Sequence, residues 1–298
     1  MAALPGAAAD IRELQATGSV ARRQRISRLS RYLLLAMSLL GVLALVGLGI
    51  DTIINGWSRL SLDFFTNYPS RFPDQAGLRS SLIGSIWVLG LVIVVVVPVA
   101  IGTAIWIEEF APQNFFLEIV KLNLSNLAGV PSIIYGVLGL AVFVRFLGFG
   151  SSILAGSLTL FLMILPMTVI ASQEAIRQVP VSTRQGSLAL GATKWETVWS
   201  HVLPGALPGM ITGVILAIAR AAGETAALIM IGAFTFIAFD NTSINDDFTT
   251  MPIQVYNWTV RPQEGFRQNA AAGIIVLMTV VLSFNFAAAI LRERFRND

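Results

Sequence analysis

Six stretches of this 298-residue chain are long and apolar enough to cross the hydrocarbon core of a bilayer, which is about 30 Å thick. They run over about 32–50, 81–107, 122–144, 153–171, 206–231 and 270–291. Only 12% of the residues are charged, against about 25% in a soluble domain. The expected fold class is therefore an all-α membrane protein with six transmembrane helices. A β reading fails even at the Val-rich run 91–97, because a membrane strand alternates in polarity and needs only about 9–11 residues. The first apolar run is too long for a signal peptide's core and has five more behind it, so it reads as a retained signal-anchor.

Lysine and arginine concentrate on one side of these spans. With the N-terminus inside, the inner segments hold Arg12, Arg22, Arg23, Arg25, Arg28, Arg31, Lys121, Arg177, Arg184, Lys194, Arg292, Arg294 and Arg296. The outer segments hold fewer, and the bias places both termini in the cytosol. Two outer segments, about 55–80 and 238–269, mix aromatics such as Trp57, Tyr68, Tyr256 and Trp258 with Pro and polar residues. These either anchor at the interface or form a landing surface for an external partner. The net charge of +3 is spread as flanks of apolar runs and does not point to nucleic acid. No cysteine is present, and the single histidine, His201, leaves little room for a metal or catalytic set. An integral-membrane enzyme is accordingly the weakest function class.

Between Gly205 and Phe239 only Arg220 and Glu224 carry charge. A charge at mid-membrane costs about 2.5–3.5 kcal/mol on insertion scales and is usually functional. The pair is four residues apart, so one helical face is expected to carry both. Gly205, Gly209 and Gly213 repeat every four residues on the same helix, a spacing that lets helices approach closely. The arginine could compensate a passing anion, or the two could form a structural pair. Thr225, Ser132 and Tyr135 are further hydroxyls that could line a path. Glu108 and Glu109 follow the second span and are expected to be solvated.

The longest inner connection runs over 174–204. It holds two candidate capping boxes, Ser182 to Gln185 and Thr193 to Glu196. Gly191 lies between them where a helix C-terminal glycine takes positive φ. A short helix, a glycine turn and a second short helix are expected outside the membrane, bracketed by Pro180 and Pro204. Such a hairpin is either an amphipathic surface element or a rigid knob for a partner's groove.

This loop resembles the coupling loop of ABC-importer permeases. Aligned on Gly191, the chain has Gln185-Gly186-Ser187 where that pattern opens Glu-Ala-Ala, and it ends His201-Val-Leu203-Pro204, with histidine in the isoleucine position. Four wider segments begin at Asn126, Leu190, Ala219 and Met251: Asn-Leu-Ala-Gly-Val-Pro-Ser-Ile-Ile-Tyr-Gly, Leu-Gly-Ala-Thr-Lys-Trp, Ala-Arg-Ala-Ala-Gly-Glu-Thr and Met-Pro-Ile-Gln-Val-Tyr-Asn-Trp. Together they resemble the PstA-type permeases of phosphate importers over roughly 76–296.

The resemblance implies a type I ABC importer permease (MetI-like) architecture in the bacterial cytoplasmic membrane. It divides the chain into a basic tail (1–31), a first helix with its outer segment (32–75), the permease domain (76–292) and a short tail (293–298). It implies a heterodimer with a homologous second permease, two cytosolic ATPase subunits and an extracytoplasmic phosphate-binding protein. ATP with Mg would be bound by the ATPases, since this chain has no Gly-x4-Gly-Lys-Ser/Thr loop and no cofactor of its own is expected. Gln185, Gly186, Ser187, Gly191, Thr193, Glu196, Leu203 and Pro204 would form the coupling loop. Arg220, Glu224, Thr225, Ser132 and Tyr135 would line the substrate path. Another oxyanion, molybdate or sulfate, is the alternative cargo. A stand-alone secondary transporter would need no motor-docking loop.

Overall fold

The computed structural model describes residues 18–233 and 236–296. Most of the expected N-terminal tail lies outside the described residues. The chain separates into two compact units, Met1–Thr52 and Ile53–Asp298. The described part of the first is one helix, α1 (Gly18–Gly56), which continues to the start of the second. After its arginine-rich first turns its sequence is apolar all round, as suits a membrane span.

The second unit is built from α2 (Leu62–Thr66), α3 (Arg79–Ile105), α4 (Phe115–Ala128), α5 (Ser132–Gly139), α6 (Ile153–Gln178), α7 (Val181–Ala189), α8 (Lys194–Thr197), α9 (Leu203–Ala222), α10 (Ala226–Met230), α11 (Met251–Thr259) and α12 (Glu264–Arg296). Wide π turns extend three of them: Trp106–Phe110 after α3, Leu140–Phe146 after α5 and Val198–Val202 between α8 and α9. Five helices among the described residues are long and apolar enough to cross a membrane, and a sixth crossing is available if the bent pair α4–α5 is one span.

The Val-rich second run is helical for a reason visible in its burial. Ser81, Gly84, Val88, Val92, Val96, Ala100 and Ala104 are buried at steps of three and four, while Ile86 and Val94 stay exposed. That is one helical stripe, laid against α6. Helix α6 is the centre of the unit, packed by α3 on one side and α9 on another. The Gly205-Gly209-Gly213 repeat does what its spacing implies. A Cβ on Gly213 would lie 2.6 Å from the Ala171 Cβ, and one on Gly209 2.9 Å from the Ala175 Cβ. Backbone of α9 therefore rests on the alanine face of α6, where dispersion contacts and close approach hold helices together in lipid.

Two runs read as straight spans are broken. The third bends by 101° between α4 and α5. Pro131 lacks an N–H and disfavours helical backbone in the residue before it. The Tyr135 hydroxyl then donates to the Leu127 carbonyl across the bend at 2.8 Å. The fifth run stops at Ala222, with Gly223 as its cap, and resumes only as the short α10.

The two segments expected to lie outside fold on each other rather than lying as separate anchors. Phe64, Leu78, Trp258 and Phe266 form a buried cluster, with the Phe64 and Trp258 rings 5.7 Å apart. Trp258 is thus a core residue, whereas Trp57 is exposed. Arg79 clamps Asp240 with Nε at 2.9 Å from Oδ1 and Nη2 at 2.5 Å from Oδ2, and its guanidinium lies 5.0 Å over the Tyr68 ring. The bonds from Arg79 hold the Asp240 carboxyl below its ordinary range.

Two expectations follow. A side chain at Gly213 must push α9 off α6, so Gly213→Val destabilises by about 1–3 kcal/mol. Gly205→Ala meets only Val179, at 3.5 Å, and should be neutral; thermal melting of the purified protein compares the two. For Asp240, a lowered pKa means a contribution that is intact above the ordinary carboxylate value near 4 and lost as pH falls through the lowered one. Hydrogen exchange at 237–241 should stay protected down to about pH 4 and rise below it, whereas Asp240→Asn removes that step.

Candidate functional site: a helix-borne charge joined to an inner loop

Pro180 opens α7, and Val181–Ala189 follow as its helix. The Ser182–Gln185 capping box does not form, because Pro180 already holds the N-cap position and Ser182 falls inside the helix. The second box does form: Thr193 Oγ1 accepts from Glu196 N, and Glu196 Oε2 accepts from Thr193 N at 2.7 Å. Gly191 takes φ +91° between the two helices. Ser187 and Thr197 hydroxyls meet at 2.9 Å and tie them together. Gln185 and Gly186 are exposed on α7, as are the large apolar Leu188, Leu190 and Trp195 around the turn.

The second helix is not a separate short piece. Helix α8 runs through the π turn Val198–Val202 into α9, making one span over Lys194–Ala222. Leu203 and Pro204 directly follow the π turn inside this span and do not end it.

Glu108 and Glu109 are not solvated. Their side chains are 12% and 9% exposed, and they anchor the loop. Arg184 of α7 donates through Nε and Nη2 to Glu109 Oε1 at 3.0 and 2.9 Å, and to the carbonyls of Val179 and Ile176 at 2.6 and 2.8 Å. Arg177 pairs with Glu108 at 2.7 Å and with Glu174 at 2.9 Å, and Lys121 lies 3.8 Å from Glu108. These ties fasten α7 to the ends of α3 and α6. Sequence reasoning missed them, although two acids closing one apolar run and two arginines following another were a readable signal.

Within the span, Arg220 and Glu224 are not an ion pair. Glu224 has left the helix and its Oε1 accepts from Ala227 N at 3.2 Å, closing the first turn of α10. Arg220, still in α9, is exposed although Ala219 and Ala221 beside it are buried. Among the described residues no carboxylate pairs with it.

A narrow cleft of about 10 Å³ opens beside this break, with Glu224, Ser85, Thr250 and the apolar Val88 and Leu160 in its wall. Ser85 Oγ accepts from Met251 N at 2.9 Å, while Thr250 Oγ1 is buried with no partner among the described residues. Thr225 begins α10 and its hydroxyl reaches only the Gly223 carbonyl, at 3.4 Å. The two breaks come together: a Cβ at Gly136 of α5 would lie 2.7 Å from the Ala227 carbonyl oxygen of α10. Irregular backbone at membrane depth is tolerated where protein covers it or it lines a cavity. Ser132, half-buried in the first turn of α5, and Tyr135, committed to the bend, do not line this cleft. Ser85 and Thr250 were missed, since single hydroxyls in apolar sequence carry no signal of where they meet.

Known proteins resemble this chain in sequence and in fold. The model of the family "binding-protein-dependent transport system inner membrane component" matches residues 97–297. A probable ABC transporter permease protein, YqgI of Bacillus subtilis, is 35% identical over 257 residues, 82% of this chain and 87% of that one. Phosphate transport system permease protein PstA 1 of Mycobacterium tuberculosis is 29% identical over 245 residues, covering 80% of each. PstA of Haemophilus influenzae is 27% identical, covering 83% of this chain and 86% of that one. A bacterial alginate ABC transporter, solved with its alginate-bound periplasmic protein, superimposes with TM-score 0.64 over 91% of this chain and 96% of its own at 15% identity, a likeness of fold. With a loop fastened to two spans and a third running unbroken from that loop to an exposed charge, the chain belongs to the inner membrane components of binding-protein-dependent transport systems, the permease subunits of ABC importers.

Proposed function

We propose that the chain carries inorganic phosphate across the bacterial cytoplasmic membrane, by alternating access, as one permease of an ATP-driven importer. The carrying observation is the exposed Arg220 guanidinium in an apolar span, with no carboxylate paired to it among the described residues. Phosphate retains negative charge at neutral pH, and its path needs fixed positive charge or N–H dipoles. A planar guanidinium offers two parallel donors to phosphate oxygens. The PstA relatives are named as phosphate permeases, which favours phosphate over sulfate or molybdate. Residues 76–292 act as the permease domain. Glu224, Ser85 and Thr250 line the cleft at the helix break that follows the charge, Thr225 acts from the break itself, and Ser132 and Tyr135 act from the neighbouring bend.

The remaining parts follow from the loop. Its exposed Leu188 and Leu190 face a cytosolic ATPase, two copies of which bind ATP with Mg. Ser187, Gly191, Thr193 and Glu196 keep the knob rigid; Gln185 and Gly186 lie on its exposed side. A second, homologous permease completes a heterodimer, and an external binding protein delivers phosphate.

Two predictions test this reading. Arg220→Gln orphans no carboxylate, so the complex should assemble while uptake of radiolabelled phosphate into proteoliposomes falls by about 10- to 100-fold, the cost of a lost charged hydrogen bond. Glu224→Gln keeps an oxygen for Ala227 N and should retain most uptake. Wild-type uptake in Arg220→Gln would refute anion compensation, and stronger competition by molybdate or sulfate than by unlabelled phosphate would reassign the cargo. At the loop, Arg184→Gln leaves Glu109 buried and unpaired, a cost of up to about 3–5 kcal/mol. It should loosen 180–192 to limited proteolysis and lower ATPase co-purification. Adding Glu109→Gln should restore proteolytic resistance; failure to do so would show that the ion pair is not what fastens the loop.

A further inference from the structure

Where α3 passes into its π turn, it faces α8 and the turn that follows across a groove of about 680 Å³. Ile101, Gly102, Trp106, Phe110, Trp195 and Trp199 are among its walls, and all the residues lining it are apolar. Three indoles gather here: Trp195 and Trp199 rings are 5.4 Å apart, and Trp195 is 6.0 Å from Phe110. Trp106, Trp195 and Trp199 are each about half exposed. Lys194 is exposed and holds its ammonium 5.6 Å over the Phe110 ring. Among the described residues it has no carboxylate partner, and the adjacent Glu196 is committed to the Thr193 capping box.

The position of this groove selects its occupant. It lies at the last turns of the span Arg79–Phe110 and the first turns of the span Lys194–Ala222, the depth at which a bilayer turns from tails to headgroups. Tryptophan concentrates at that depth because its ring is amphipathic. We propose that the groove holds an acyl chain of an anionic phospholipid whose phosphate meets Lys194. A tail gains little by leaving other tails for an apolar wall, so headgroup pairing must carry the selectivity. The bound lipid would brace the start of α8 against the end of α3, beside the loop that the motor moves. This site is separate from the cargo path and does not depend on which anion is transported.

The test uses the assembled transporter, purified and exposed to phosphatidylglycerol or phosphatidylcholine, with retained lipid counted by native mass spectrometry. One cation near the surface predicts about a fivefold preference for phosphatidylglycerol. Lys194→Gln should abolish the preference while some lipid remains. A Cβ on Gly102 meets nothing within 4 Å, so Gly102→Leu should fold, fill the groove and lower retention of both lipids. Equal retention of the two headgroups by the wild type would overturn the proposal. So would unchanged retention in Gly102→Leu, or a photo-cross-link from position 199 to a partner subunit with no lipid retained. If Gly102→Leu fails to assemble, the Lys194→Gln comparison alone decides: a preference that survives it overturns the site.

Discussion

Backbone contact between α9 and α6 is the constraint on which the second unit depends. In lipid there is no hydrophobic gain from pressing two apolar helices together, so association rests on how closely their backbones approach. Gly209 and Gly213 allow α9 to lie on Ala175 and Ala171, and the buried stripe of α3 covers another side of α6. With α6 enclosed, the broken segments α5 and α10 can lean on it and on each other. Their irregular backbone then sits beside protein instead of lipid. The break at Gly223–Thr225 also separates the two charges, giving Glu224 a capping role and leaving Arg220 with none.

Loop and charge share one element. From Lys194 the backbone runs helically through the π turn to Ala222, so a push received at Glu196, as proposed for the loop, would pass along one helix toward Arg220. Ser187–Thr197 and Arg184–Glu109 join that rod to α7 and to α3. A partner docked on α7, as proposed, would act on two spans at once, through this hydroxyl pair and the charge-assisted Arg184–Glu109 bonds.

The elements that sequence patterning could read are those set by local chemistry. Apolar length marked the spans, the four-residue glycine repeat marked the α6–α9 contact, and Gly191 with the Thr193–Glu196 box marked the loop turn. What it could not read depends on neighbours. Val130-Pro131 and Gly223 look tolerable inside apolar runs, yet they bend one span and end another, because packed neighbours satisfy the freed backbone groups. Spacing of four placed Arg220 and Glu224 on one face only if the helix continued. Glu108 and Glu109 read as solvated because the arginines that bury them arrive from two other helices, about 70 residues later.

The rigid connection between loop and charge is the claim most open to direct measurement. The chain has no cysteine, so cysteines at Trp195 and Leu216, both exposed, can carry spin labels without background. A continuous helix puts them about 30 Å apart, at 1.5 Å per residue. In the assembled transporter, pulsed electron spin resonance should give one narrow distance that is the same with and without ATP. A distribution that broadens or shifts by several ångströms on ATP binding would place a hinge at the π turn and contradict rigid transmission from loop to Arg220.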